Sequence, residues 1–136
     1  MKYIAETEKD TVEIATQFAK TLKAGDVVAL YGTLGAGKTA FCRGFIQSLT
    51  GMDIEVPSPT FTLLQTYDTD MYPVYHFDMY RLKQPEEAYE LGIEDAFIEG
   101  VSLIEWPEKL GYLLPKKHIR VTITILPNEK RKIIID

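Results

Sequence analysis

Residues 31–41, YGTLGAGKTAF, form a glycine-rich stretch with the residue types of a phosphate site. From Gly32 to Thr39 the spacing matches the phosphate-binding loop pattern G-x-x-x-x-G-K-[ST]. Glycines allow the backbone N–H groups to point at anionic oxygens, and the helix that follows adds its positive end. The Lys38 ammonium is expected to reach the β- and γ-phosphates, and the Thr39 hydroxyl to bind Mg²⁺. The stretch predicts nucleotide binding; the alternative is a strand-to-helix turn that matches by chance.

Two acidic side chains end apolar runs further along the chain. Asp78 ends VYHFD, and Glu105 ends SLIE. In open α/β sheets ligands bind beyond the carboxyl ends of the strands, so both carboxylates are expected near the loop. Asp78 is predicted to hold Mg²⁺ directly or through a water, and Glu105 to complete the metal shell or orient the attacking water. The predicted metal ligands are Thr39, Asp78 and Glu105; the alternative for either acid is a solvated carboxylate at a strand end.

The segment VPSPTFT, residues 56–62, is a candidate switch. Its two prolines stiffen the loop, and Thr60 presents a hydroxyl that could sense the γ-phosphate and Mg²⁺. The alternative is an ordinary proline-rich turn. We therefore include Thr60 among the candidate nucleotide-binding residues.

Packing competes with chemistry at three further residues. His76 alternates with aromatic residues in a predicted buried strand, which favours a hydrogen-bonded core histidine. Cys42 lies one turn into the helix after the glycine loop, where packing is favoured over reactivity. Trp106 directly precedes a proline, and packing and a partner or nucleotide contact are equally expected there.

Helices and strands alternate along the chain in a way that can bring these residues together. Helical spacing of apolar residues predicts a helix from Thr7 to Gly25, and a second helix is predicted from Lys38 to a stop at Gly51. Strands are predicted at residues 26–31, 61–67, 73–80, 101–106, 118–126 and 132–136, and further helical segments at 85–100, interrupted at Gly92, and 107–114. The central strands are apolar throughout, which predicts an α/β fold with antiparallel strands at an edge.

Composition limits the class of protein. The 136 residues, 46% hydrophobic and 26% charged, fit a single domain over residues 1–136. No apolar run approaches the roughly 20 residues of a membrane helix, and the charged start is unlike a signal peptide. The single cysteine excludes an internal disulfide framework, so a reducing compartment, the cytoplasm, is expected. The net charge of -5 weakens any case for nucleic-acid binding across a broad face.

Four segments together resemble the TsaE family, formerly YjeE: GTLGAGKTAF, VPSPTFTLLQTY, HFDMYRL and LIEWPEKL, in that order and spacing. Members are small bacterial P-loop ATPases required for the threonylcarbamoyladenosine modification of tRNA. The resemblance covers nearly the whole chain and implies a three-layer P-loop NTPase-like fold with a mixed, mostly parallel sheet. It also implies ATP and Mg²⁺ as ligands and the TsaB and TsaD proteins as partners. These partners transfer threonylcarbamoyl to adenosine 37 of tRNAs that read ANN codons, and the weak ATPase would reset the assembly.

The resemblance also assigns individual residues. It implies Lys38, Asp78 and Glu105 as the catalytic set. The residues that it places at the nucleotide are Thr11, Gly32, Thr33, Leu34, Gly35, Ala36, Gly37, Lys38, Thr39, Ala40, Thr60, Trp106 and Arg131. Two positions depart from the family, which commonly has an acidic residue in place of Thr33 and a threonine or serine in place of Ala40. The missing carboxylate is expected to affect hydrolysis more than binding.

Three functions remain open at this point. GTP is disfavoured, because no N-K-x-D motif occurs and DMYR stands where a GTPase would have D-x-x-G. The first function is an ATPase subunit of the tRNA-modifying assembly. The second is a stand-alone kinase of a small metabolite, although the chain has few arginines for an acceptor site and lid. The third is a nucleotide-gated binding module with little hydrolysis, which Thr33 keeps open.

Overall fold

The computed structural model describes residues 1–51 and 54–136, which contain seven strands and three α-helices. The strands are β1 (Lys2–Ala5), β2 (Val27–Tyr31), β3 (Leu64–Tyr67), β4 (Val74–Asp78), β5 (Val101–Glu105), β6 (Ile119–Ile125) and β7 (Arg131–Ile135). The helices are α1 (Glu8–Ala19), α2 (Lys38–Thr50) and α3 (Ile93–Glu99), with 3₁₀ helices at Pro85–Leu91, Pro107–Leu113 and Pro127–Glu129. Within these residues no helix combines the length and the apolar character that crossing a membrane requires.

The strands form one sheet in the order β1-β7-β6-β2-β5-β4-β3. In its centre β6, β2, β5 and β4 run parallel, whereas β1, β7 and β3 are antiparallel to the strands beside them. The predicted α/β fold with a mixed, mostly parallel sheet is confirmed, with antiparallel strands at both edges. Because β2 lies between β5 and β6, the loop that follows β2 emerges at the middle of the carboxyl edge.

Helices cover both faces of the sheet, as its apolar central strands require. On one face a cluster of buried side chains contains Phe18 of α1, Phe45 of α2 and Leu103 of β5. On the other face α3 and the 3₁₀ helices Pro85–Leu91 and Pro107–Leu113 pack around a second cluster, which includes Phe77 of β4 and Ile104 of β5. Residues 103 and 104 belong to opposite faces because side chains alternate along a strand. The result is the expected three-layer arrangement.

A capping pair starts α1. Thr7 Oγ1 accepts a hydrogen bond from Asp10 N at 3.3 Å, and Asp10 Oδ2 accepts one from Glu6 N at 2.9 Å. The pair resembles a capping box with aspartate in the position of the usual glutamate, although the carboxylate accepts from the Glu6 N–H rather than from that of Thr7 itself. The prediction that the helix continues to Gly25 is wrong. It ends at Ala19, and residues 20 and 21 form a turn.

Other boundaries differ from the prediction as well. Residues 61–63 form a turn rather than a strand, because Leu63 adopts φ 68° and its N–H donates to Pro59 O at 2.6 Å. The expected interruption at Gly92 is confirmed, with φ 74° between a 3₁₀ helix and α3. β1 is absent from the prediction, and it pairs antiparallel with β7.

The close approach of α1 and α2 depends on Gly44. A Cβ at this position would lie 2.9 Å from Val12 Cα and 3.0 Å from Val12 O. We therefore expect Gly44→Ala to lower the free energy of unfolding by about 1–3 kcal/mol, although alanine has the higher helix propensity. Urea denaturation measures the change, and Ser48→Ala on the same helix is a control expected to stay within about 0.5 kcal/mol. An unchanged urea midpoint for Gly44→Ala would show that α1 and α2 can move apart without loss of stability.

Candidate functional site

The loop of residues 32–37 joins the end of β2 to the start of α2, and two glycines permit its shape. Gly37 directly precedes α2 with φ 109°, a conformation that side-chain-bearing residues rarely adopt. At Gly32 a Cβ would lie 2.7 Å from Ile123 O of β6, so the backbone passes too close for a side chain. The strand-loop-helix setting that the phosphate-loop pattern requires is therefore present.

Lys38, the first residue of α2, lies buried against the loop. Its Nζ donates to Gly32 O at 2.7 Å and lies 3.5 Å from the centre of the Trp106 ring. Burial lowers the pKa of the Lys38 ammonium, and the negative charge of Glu105 opposes that shift in part. Trp106 follows β5 with φ 57°, which is uncommon for a bulky residue. Trp106 packs against Lys38, as one of its two alternatives expects, and it also lines the cavity described below; a partner or nucleotide contact stays a prediction.

The two predicted acids lie side by side at the carboxyl ends of β4 and β5, where Asp78 pairs with Glu105 in register. Glu105 accepts a hydrogen bond from Thr39 Oγ1, which is 3.2 Å from each carboxylate oxygen. Asp78 Oδ2 accepts one from Thr60 Oγ1 at 3.0 Å, and Asp78 Oδ1 accepts one from Tyr80 N at 3.0 Å. Both carboxylates are buried, so the alternative of solvated strand-end carboxylates is wrong.

A cavity of about 230 Å³ brings most of the predicted residues together. It is lined by Leu34, Gly35, Gly37, Lys38, Thr39, Ala40, Ser58, Thr60, Asp78, Glu105 and Trp106. We call it the phosphate-loop cavity. It contains one side-chain cation, the Lys38 ammonium, together with hydroxyl and carboxylate oxygens. Oxygen atoms of these two kinds are the ligands that Mg²⁺ prefers. A larger cavity of about 480 Å³, between the end of α2 and the β3–β4 connection, contains none of the predicted site residues.

Thr11 and Arg131 lie in a second cavity of about 180 Å³. The two cavities share three residues: Gly35, Gly37 and Ala40. The Arg131 guanidinium is held against the loop, because its Nε donates to Ala36 O at 2.9 Å. The predicted nucleotide-binding residues therefore form two groups, one beside the acids and one beside α1.

Two predicted loop residues line neither cavity. Gly32 contributes its carbonyl to Lys38, whereas Thr33 is exposed and its carbonyl accepts a hydrogen bond from Ala36 N at 3.0 Å. In contrast, Ser58 lines the phosphate-loop cavity although it was not predicted, and its Oγ lies 2.8 Å from Thr60 Oγ1. Its hydroxyl in the same SPT run was a signal that could have found it.

His76 and Cys42 lie in the interior below the acids. His76 Nε2 is 2.6 Å from Glu105 Oε2, so the predicted hydrogen-bonded core histidine is confirmed and its partner is a site acid. Cys42 is fully buried, and burial raises the pKa of its thiol well above the ordinary range. One ligand atom from each of Cys42, His76 and Glu105 lies within 4.8 Å of the others. All three residues are buried, and His76 and Glu105 already bond to each other there.

The burial of Cys42 predicts a thiol without reactivity in the native protein. The thiolate is the reactive form, and both exclusion from water and a raised pKa suppress it. We expect a chromogenic disulfide reagent at neutral pH to label no thiol in the native protein and one thiol per chain in urea. The Cys42→Ser variant, which has no thiol, gives the background signal of the reagent. Native labelling as fast as labelling in urea would contradict the buried placement.

Comparison with known proteins identifies the family. A sequence model described as "Threonylcarbamoyl adenosine biosynthesis protein TsaE" matches residues 5–133. The chain belongs to the TsaE family. A tRNA threonylcarbamoyladenosine biosynthesis protein TsaE from Rickettsia bellii is 48% identical over 128 residues, which are 94% of this chain and 89% of that protein. The protein of the same name from Bacillus subtilis is 37% identical over 134 residues, 98% of this chain and 83% of that one.

A solved structure matches this fold over nearly the whole chain. The crystal structure of Bacillus subtilis YdiB has a TM-score of 0.82 at 34% identity, and the match covers 98% of this chain and 82% of YdiB. The resemblance drawn from four sequence segments is thus confirmed, and so is the P-loop-like α/β fold. Membership of the TsaE family connects the chain with the biosynthesis of threonylcarbamoyladenosine, a tRNA modification. The ligands and the roles of individual residues stay predictions.

Proposed function

We propose that this TsaE family member binds and hydrolyses ATP with Mg²⁺ and works with TsaB and TsaD. The assembly would transfer threonylcarbamoyl to adenosine 37 of tRNAs that read ANN codons. One observation carries the proposal: Lys38, Thr39, Asp78 and Glu105 line a single cavity at the carboxyl edge of the sheet. A cation, a hydroxyl and two carboxylates beside a phosphate loop are the groups that metal-assisted phosphoryl transfer uses.

ATP would occupy both cavities around the loop. The phosphates would bind in the phosphate-loop cavity, where Lys38 would exchange its bond to the Gly32 carbonyl for one to a phosphate oxygen. The ammonium is already held there between that carbonyl and the Trp106 ring, which limits the reorganisation that binding requires. The adenosine portion would then lie in the second cavity, beside Thr11 and Arg131.

Mg²⁺ fits the donor set of the phosphate-loop cavity. Hard divalent cations prefer oxygen ligands, which the Thr39 hydroxyl and the two carboxylates supply. Thr39 and Thr60 each already donate to one of these carboxylates, so the hydroxyls and the acids lie within direct reach of one another. When bound, Mg²⁺ neutralises charge on the β- and γ-phosphates. Asp78 would hold the metal directly or through a water, and Glu105 would complete its shell or orient the attacking water.

ATP hydrolysis tests the proposed function. The purified protein is assayed with ATP and Mg²⁺ alone, and then with TsaB, TsaD and tRNA, with EDTA as the metal control. We expect weak turnover alone, strong stimulation by the partners together, and loss of both in EDTA. Equal turnover with and without partners would contradict the assembly role and favour a kinase of a small acceptor. Binding without turnover in both conditions would favour a nucleotide-gated binding module.

A further inference from the structure

His76 is a buried polar residue to which the proposed function gives no role. It precedes Asp78 by two residues on β4, so strand alternation puts both on the same face of the sheet. Its register partner on β5 is Leu103, which precedes Glu105 by two residues. The histidine thus lies one step deeper in the sheet than the two acids and is not among the residues that line the phosphate-loop cavity.

The contact between His76 and Glu105 is short and shielded from water. His76 Nε2 lies 2.6 Å from Glu105 Oε2, and the two side chains are 0% and 4% exposed. In the carboxylate form that a metal ligand or general base requires, Glu105 can only accept, so the imidazole donates from Nε2. Hydrogen bonds to a charged acceptor are stronger than neutral ones, and exclusion of water strengthens them further.

The second ring nitrogen of His76, Nδ1, indicates that the histidine bonds through Nε2 alone. Nδ1 is buried and has no hydrogen-bond partner in residues 1–51 and 54–136. A histidine that served to satisfy the polar groups of the core would be expected to use both nitrogens. Within the described residues, the bond to Glu105 is the one hydrogen bond that the imidazole ring makes. Holding Glu105 is therefore the role that its polar atoms have.

His76 makes the two oxygens of the Glu105 carboxylate unequal. Oε2 accepts from His76 at 2.6 Å and from Thr39 at 3.2 Å, whereas Oε1 accepts from Thr39 at 3.2 Å. If the Thr39 hydroxyl turns to a metal, Oε2 stays bound to the histidine and Oε1 becomes free. A carboxylate that is already oriented avoids the entropic cost of being ordered during the reaction.

We propose that His76 is a positioning residue that holds Glu105 Oε2, so that Oε1 is presented to the metal or to the attacking water. This inference rests on the proposed function. Because Lys38 and the loop would bind the phosphates, the effect of His76 is expected on turnover rather than on ATP affinity. Partners of this kind that orient a metal-site group typically contribute about 10- to 100-fold to affinity or activity.

The first test compares His76→Leu with His76→Gln in the ATPase assay with TsaB, TsaD, tRNA and Mg²⁺. The glutamine amide can still donate to Glu105, whereas leucine cannot. We expect His76→Leu to lower kcat about 10- to 100-fold with the KM for ATP within about 3-fold, and His76→Gln to recover most of the loss. Leu103→Val is the matched control, because it removes volume beside His76 without touching the hydrogen bond. Its kcat should stay within about 2-fold of the wild-type value.

A double-variant cycle separates positioning from stability. In a Glu105→Ala background, which lacks the carboxylate that His76 contacts, His76→Leu should cause no further loss of kcat, although thermal unfolding should still show its cost to the fold. Equal losses of kcat in both backgrounds, or a His76→Gln variant as slow as His76→Leu, would overturn this inference. The proposed function would be unaffected by either result. A wild-type protein that does not hydrolyse ATP under the same conditions would overturn the proposed function and this inference with it.

Discussion

Lys38→Ala is expected to weaken ATP binding by about 2–4 kcal/mol, or roughly 30- to 1,000-fold in Kd. Lys38 is the one cationic side chain among the residues that line the phosphate-loop cavity, and it is buried there. Its loss removes the side-chain cation that the phosphates would contact, at a buried position where a charge–charge interaction is stronger than in bulk water. Isothermal titration calorimetry with ATP and Mg²⁺ measures the change.

A control variant and an argument about stability allow the Lys38→Ala result to be interpreted. Lys20→Ala removes an equal charge from the end of α1, outside both cavities, and should leave the Kd unchanged. Burial lowers the pKa of Lys38, which means that the fold disfavours its charged form, so the alanine variant is not expected to unfold. If Lys38→Ala bound ATP as tightly as the wild-type protein, all three candidate functions would fail together, because each requires the loop to hold phosphate.

Glu105→Gln and Asp78→Asn are each expected to lower ATP turnover by about 100-fold or more. Each amide keeps the volume of the side chain and an oxygen that can accept from Thr39 or Thr60, but it removes the negative charge. Steady-state hydrolysis with the partner proteins measures kcat, and a Mg²⁺ titration of the rate separates the two roles. The acid that binds the metal directly should require more Mg²⁺ for half-maximal rate when it is replaced.

The control for these acids is Glu99→Gln at the end of α3. Glu99 accepts a hydrogen bond from the Tyr75 hydroxyl at 3.1 Å and lies outside the phosphate-loop cavity. Its replacement should leave kcat at the wild-type value. Full turnover in both Glu105→Gln and Asp78→Asn would remove the two carboxylates from the catalytic set, even if ATP still bound to the loop.

Sequence reasoning succeeded where the signal was local. The phosphate loop is contiguous, and its glycines, Lys38 and Thr39 follow a buried strand, so its position was predictable before any contact was known. Asp78 and Glu105 were found because each ends an apolar run, and strand ends gather at one edge of a parallel sheet. The class of fold followed from the same apolar strands.

Contacts between neighbouring strands could not be predicted from the sequence. The bond between His76 and Glu105 depends on the parallel register of β4 and β5, which no local pattern reveals. The turn at residues 61–63 was missed because Leu63 adopts a left-handed conformation that leucine rarely takes. β1 was missed because it is four residues long and owes its existence to pairing with β7.

Trp106 is the one tryptophan of the chain, so all indole fluorescence comes from a single place. Its ring lies 3.5 Å from the Lys38 ammonium and 4.9 Å from the centre of the Tyr80 ring. A cation over the face of an indole alters the electrostatic field that the ring experiences, and a ligand that draws the ammonium away changes that field. The unlabelled protein therefore contains its own optical probe, and nucleotide occupancy should be readable as a change in emission before any partner is added or any product is measured.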